Sequence, residues 1–170
     1  MYLLCCCISE TKFKHARYPR LIFPAESIDE LYQFTAGSDK VVFGACTPLS
    51  KIQHECGELS KDPSLSRTLM PIHDMLRWFA SSQIRNVACL GGNLVTASPI
   101  SDMNPMLASM GAKLILSRLE GDGTISRRSK YVAEFFLNYR TVDLESTEIV
   151  EKIEVPILAN VFEYVKPFKQ

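Results

Sequence analysis

The chain has 170 residues, 46% of them hydrophobic and 22% charged, with no net formal charge. That length buries a core without disulfides or a structural metal. The even charge balance gives no support to a nucleic-acid face or to a surface for anionic membranes. Six cysteines are present, three of them adjacent at Cys5, Cys6 and Cys7. This spacing does not suit a disulfide framework, and no pair of CxxC motifs offers zinc or iron–sulfur ligation. The expectation is a cytosolic chain with reduced thiols, in which Cys46 and Cys56 act as small buried apolar groups.

The opening MYLLCCCISE carries no basic n-region, so no signal peptide is expected, and its apolar run is too short to span a bilayer. Residues 20–23, between Pro19 and Pro24, read as a short strand. LYQFTA and VVFGAC flank Gly37-Ser38-Asp39, which predicts a β-hairpin. Thr47-Pro48 then starts a helix, with Thr47 as N-cap and Pro48 in its first turn. Leu49, Ile52, Cys56 and Leu59 share one face of it, and Lys61-Asp62-Pro63 ends it. A second helix is expected over 66–83, with Ile72, Met75, Leu76, Phe79 and Ala80 as its buried stripe and Trp78 in the core.

The stretch ACLGGNLVTASPISDMNP follows, from Ala88 to Pro105. Asn104-Pro105 predicts the cap of a short helix through Met110, closed by Gly111. AKLILS and TISRRSKYV read as strands joined by the turn EGDG. FFLNYR reads as a short helix or loop. EIVEKIEVPI alternates as a strand with one buried face, and FEYVKPFKQ as another strand. Grouped helices and hairpin strands, without a repeating βαβ unit, predict an α+β fold with a mainly antiparallel sheet and helices on one side.

Chemistry concentrates in the glycine-rich stretch. Gly91-Gly92 permits positive φ and consecutive exposed N–H groups, an arrangement that binds anions. Asn93 can brace such a turn. Thr96, Ser98 and Ser101 add neutral donors, and Asp102 is an acceptor for a ribose hydroxyl or a ring N–H. The residues alone leave two readings open, a dinucleotide cradle and a plain turn. Neither GxGxxG nor a Walker loop is present. His15, His54 and His73 lack partners at catalytic or ligand spacing. Arg127, Arg128 and Lys130 read as a solvated strand face rather than a phosphate clamp.

LRWFASSQIRNVACLGGNLVTASPISDMNP closely resembles the flavin-binding domain of the xanthine dehydrogenase family, to which the aldehyde oxidases are related. KFKHARYP, FGACTPLSKI, GAKLIL, EFFLNYR, EIVEKIEVP and FKQ extend the resemblance in the same order, over 12–170, leaving 1–11 unmatched. It implies an FAD-binding portion of a molybdo-flavoprotein oxidoreductase, with the fold of the second lobe of a vanillyl-alcohol-oxidase or PCMH-type domain. In such enzymes electrons pass from iron–sulfur clusters through FAD to NAD or oxygen. The enzymes are homodimers, with no nucleic-acid or membrane partner, and the clusters and molybdopterin lie in regions this chain does not match.

The resemblance implies FAD contacts at Leu90, Gly91, Gly92 and Asn93 in the phosphate turn, and at Cys89 where the family has serine. It implies further contacts at Thr96, Ser98 and Asp102 in the same loop, at Phe79 against the flavin, at Val150 near it and at Lys169 of FKQ. No catalytic side chain and no metal ligand are expected in the chain itself. Where the family carries a VVGNTE-type phosphate loop, this sequence has MYLLCCCISE, so one wall of a two-lobed site is expected. The other reading of its function is a catalytically silent fragment, at most a weak flavin-binding or protein-interaction module.

Overall fold

A computed structural model describes residues 27–159 and 165–166. The first strands are β1 (Phe34–Ala36) and β2 (Lys40–Gly44), paired antiparallel as the predicted hairpin. Three helices follow: α1 (Leu49–Leu59), α2 (Pro63–Trp78) and α3 (Ser82–Val87). Two short ones come next, α4 (Leu90–Thr96) and α5 (Met103–Ser109). The strands β3 (Lys113–Leu119) and β4 (Ile125–Tyr131) flank the predicted EGDG turn. One helical turn, α6 (Val132–Phe135), leads into the small hairpin β5 (Phe136–Asn138) and β6 (Thr141–Val142), which divides FFLNYR between a helix and a strand. The last strand is β7 (Glu148–Pro156).

The main sheet has five antiparallel strands in the order β1-β2-β7-β3-β4. The late strand β7 is therefore central, between β2 and β3, which closes the sheet only when residues more than 100 apart in sequence meet. Register puts Val41, Phe43, Leu114, Leu116, Val150, Ile153 and Val155 on one face, and these pack with Leu49, Ile52, Leu69, Ile72, Leu90 and Leu107 of the helices. The helices thus cover one side of the sheet, as the α+β reading expects. Burying that apolar layer is the main stabilising contribution, at roughly 25 cal/mol per Å² removed from water. Cys46 and Cys56 are both buried, and burial pushes the Cys56 thiol pKa up.

Several local expectations are corrected. Thr47 does not cap α1: it is fully buried, and its hydroxyl donates to the carbonyl of Gln33 at 2.9 Å, leaving Pro48 at the N-cap position. The second helix starts at Pro63, capped by the Asp62 carboxylate, which accepts from Ser64 N at 2.9 Å. It also stops at Trp78 instead of running on to Gln83, because Phe79 is extended and Ala80 turns left-handed at φ 46. Trp78 is not core. It is 63% exposed, since it lies off the 72–75–76 stripe, and its ring rests 5.7 Å from the Arg77 guanidinium. Helix α5 starts at Met103, so Asn104 lies inside it and is not its cap, while Gly111 closes the segment at φ 70 as predicted. The strands predicted over 20–23 and 162–170 fall outside the described residues, apart from Val165 and Lys166, which form no strand.

Arg127, Arg128 and Lys130 are matched by acids. Arg127 Nε lies 2.6 Å from Glu151, Arg128 Nε 2.6 Å from Glu148, and Lys130 Nζ 3.0 Å from Asp143. These cations serve the sheet edge and not an anion. The hydrogen bond from Arg128 holds the Glu148 carboxyl below its ordinary pKa of 4.5, and that from Lys130 lowers Asp143. A depressed folded-state pKa adds stability that is present above the ordinary value and lost as pH falls through the folded one. Urea midpoints are therefore expected to drop as the pH is taken below 4.5, and Glu148→Gln should flatten that dependence.

Candidate functional site

The predicted glycine turn is a helix. Leu90, Gly91 and Gly92 form the first turn of α4, and neither Gly91 nor Gly92 has positive φ. The Gly91 N–H donates to the carbonyl of Ala45 at 2.9 Å, and the Asn93 N–H to the carbonyl of Cys89 at 3.1 Å. The Gly92 N–H points to Cys89 Sγ at 3.3 Å. Consecutive N–H groups are thus already engaged within the protein, so the expected N–H cradle for phosphate is not formed by Gly91 and Gly92.

Gly91 is required for a different reason, namely contact. A Cβ there would lie 2.8 Å from both Cβ and O of Ala45, closer than side chains approach. The residues 44–48 run against the start of α4. Leu49 N donates to the carbonyl of Ala88 at 2.9 Å, and Pro48 pairs with Cys89 in an antiparallel bridge. Ala45 N in turn donates to the carbonyl of Glu151 in β7 at 3.0 Å, next to the buried Val150. Cys89 is 2% exposed and caps α4 through sulfur, doing with a weaker acceptor what a serine hydroxyl does at an N-cap. Leu90 is fully buried in the core.

The outer half of the stretch carries the accessible chemistry. Helix α4 ends at Ala97, left-handed at φ 46, and the loop 98–102 leads to α5. Thr96 is exposed and donates to the Gly92 carbonyl at 2.7 Å, so its lone pairs remain as acceptors. Ser101 Oγ donates to Asn93 Oδ1 at 2.8 Å and accepts from Asn104 N at 3.3 Å. The first bond orients the Asn93 amide and leaves its Nδ2 as the donating end. The second caps α5, so the half-buried Asp102 at the N-cap position makes no side-chain capping bond. The Asp102 carboxylate is thus not used in capping and could accept from a bound group. Ser98 is half-buried beside it, and the Oδ1 of the buried Asn104 has no hydrogen-bond partner.

Phe79 is connected to this stretch along the chain. It ends α2 half-buried, and α3 then carries the chain within two residues of Cys89. Arg85 in α3 donates from Nη1 to the carbonyls of Phe79 and Ala80, both at 2.8 Å. The structure therefore brings Cys89 to Asp102 together, ties Val150 to them through Ala45 and β7, and links Phe79 through α3. Lys169 lies outside the described residues. Sequence reasoning missed Ala45 and Arg85: the contact of Ala45 with Gly91 is tertiary, and nothing in the sequence around Arg85 signals the two carbonyls it reaches.

A ligand that fits this set is held by an amide, hydroxyls, a carboxylate and an aromatic ring, not by a nest of N–H groups. Those donors and acceptors suit the ribityl, ribose and ring edges of a dinucleotide. Among the described residues no group of His, Cys, Asp and Glu is placed to hold a metal ion, and no helix is long and apolar enough to cross a membrane.

The family described as FAD binding domain in molybdopterin dehydrogenase matches residues 6–158. The chain belongs to that family. Xanthine dehydrogenase of Drosophila pseudoobscura pseudoobscura is 41% identical over 145 residues, covering 83% of this chain and 11% of that protein. Xanthine dehydrogenase/oxidase of Gallus gallus is 37% identical over 163 residues, covering 95% of this chain and 12% of that protein. The chain thus spans only a small part of these relatives. Among solved structures, quinoline 2-oxidoreductase from Pseudomonas putida 86 shares the fold at a TM-score of 0.64 and 23% identity, over 82% of this chain and 47% of that one. The carbon monoxide dehydrogenase of Hydrogenophaga pseudoflava that lacks the Mo-pyranopterin moiety matches at 0.60 and 25%, over 76% and 41%.

Proposed function

We propose that this FAD-binding domain supplies one wall of the flavin site in a xanthine-dehydrogenase-like molybdo-flavoprotein, built as the second lobe of a vanillyl-alcohol-oxidase or PCMH-type domain. The observation that carries the reading is the polar set at the α4–α5 junction: Ser101 orients Asn93 and caps α5, which leaves the Asp102 carboxylate available. Asn93 and Thr96 face the phosphate and ribityl groups, Asp102 accepts from a hydroxyl or a ring N–H, and Phe79 packs on the ring system. Gly91 acts by bringing α4 close enough to Ala45 for this set to be placed. Cys89, Leu90 and Gly92 shape the wall from within α4: the Cys89 thiol caps the helix by accepting from Gly92 N, and the Leu90 side chain is buried in the core. Val150, buried beside the Ala45–Glu151 bond, backs the wall, and Lys169 is included on the family resemblance alone.

Bound FAD supplies electron and hydride transfer. The protein's share is binding, orientation and exclusion of water. In the assembled enzyme, proposed as a homodimer in the cytoplasm or peroxisome, a flavin held by Asn93, Thr96, Asp102 and Phe79 would supply electron transfer between iron–sulfur clusters and NAD or oxygen. Asp102→Ala and Asn93→Ala test the reading. Each removes one polar contact and is expected to weaken FAD binding by about tenfold, the equivalent of roughly 1.4 kcal/mol, with the melting midpoint little changed. FAD affinity unaltered in both variants would remove these residues from the site.

A further inference from the structure

We infer that Arg85 is a positioning residue for the flavin wall, holding the turn that presents Phe79; this rests on the flavin reading above. The turn needs such a holder. Helix α2 ends without a glycine: Phe79 is extended, and Ala80 takes a left-handed φ of 46 that an alanine adopts only when its surroundings impose it. The Phe79 and Ala80 carbonyls, which a regular helix end leaves to water, both accept from Arg85 Nη1 at 2.8 Å.

Arg85 is itself fixed. Its own N–H donates to the carbonyl of Ser81 at 3.0 Å, and the Ser81 hydroxyl accepts from Ile84 N at 3.4 Å. No carboxylate among the described residues lies within salt-bridge distance of the guanidinium to draw it away. The six-residue helix α3 therefore connects Phe79 to Cys89, where α4 and the polar wall begin. Arg85 sets the spacing between the aromatic and polar sides of the site. A single cation bridging two carbonyls is also specific to the residue, since a neutral side chain of similar length cannot make both bonds.

The test uses the full chain with Arg85→Met, Arg85→Lys and Asp62→Ala. The last removes the cap at the far end of α2 and serves as the control for stability alone. Two signals are read: FAD affinity by flavin fluorescence, and the anisotropy of Trp78, the one tryptophan, beside Phe79. Arg85→Met is expected to weaken FAD binding by about tenfold and to lower the Trp78 anisotropy without FAD, while Arg85→Lys recovers most of both. Asp62→Ala is expected to lower the melting midpoint and leave both signals as in the wild type. FAD affinity of Arg85→Met within about twofold of wild type would overturn the inference, as would an equal loss in Asp62→Ala. If the wild-type chain takes up no FAD, the flavin reading fails, and the Trp78 signal alone then decides: unchanged anisotropy in Arg85→Met refutes a role in holding the turn.

Discussion

Gly91→Ala is expected to lose both stability and FAD binding. The added methyl would sit 2.8 Å from Cβ and O of Ala45, and the listing of α4 away from residues 44–48 is the only relief. That movement breaks the 2.9 Å bond from Gly91 N to the Ala45 carbonyl and disturbs the bond from Ala45 N to Glu151 in the central strand. Overpacking of this kind costs about 2 kcal/mol. Because α4 carries Asn93 and leads to Asp102, the polar wall moves with it. A second change, Ala45→Gly, removes one of the two clashing atoms. The pair is therefore expected to be less destabilised than Gly91→Ala alone, a coupling that thermal melts of the two single variants and the double variant would reveal. Strict additivity would place the effect of Gly91 elsewhere than at Ala45.

Gly44→Ala is expected to be more damaging to the fold. Its Cβ would lie 2.4 Å from the Leu31 carbonyl carbon and oxygen and 2.7 Å from Tyr32 N, all backbone atoms that cannot rotate aside. The segment 31–33 must move off the sheet. It is held there by bonds from Cys46 N to the Leu31 carbonyl and from Gly44 N to the Gln33 carbonyl, both 2.8 Å, and by the Thr47 hydroxyl on the same Gln33 carbonyl. Displacing it exposes the buried Leu31 and strands the hydroxyl of the fully buried Thr47. A loss of roughly 3 kcal/mol is expected, at the upper end of overpacking effects. Denaturant midpoints measure it, and a midpoint equal to wild type would contradict the close approach of segment 31–33.

What the sequence disclosed was mostly local. The hairpin around Gly37-Ser38-Asp39, the strands joined by EGDG and the alternating β7 follow from period-two patterns and turn residues, which do not depend on distant contacts. The end of α2 was not legible, because Ala80 occupies a conformation that usually signals itself by glycine. Trp78 was placed in the core, although its position two residues past Leu76 already takes it off the buried stripe. Thr47 looked like a cap because nothing in its neighbourhood reveals the Gln33 carbonyl that claims it.

The glycine pair shows the limit best. Sequence gives two causes for a glycine, a left-handed backbone or a close neighbour, and cannot separate them without the neighbour. Here the neighbour is Ala45, 46 positions earlier. The family resemblance pointed to this stretch; the Gly91 and Gly92 N–H groups are engaged within the protein, so the proposed binding chemistry rests on the side chains of Asn93, Thr96, Ser98 and Asp102.

The most direct measurement is a titration of the full chain with FAD, followed by flavin fluorescence and by circular dichroism in the flavin bands. The account predicts saturable binding at one site per chain, with an induced flavin signal that Asp102→Ala weakens. A chain that is folded by far-ultraviolet circular dichroism yet shows no saturable FAD binding and no induced flavin signal would contradict it.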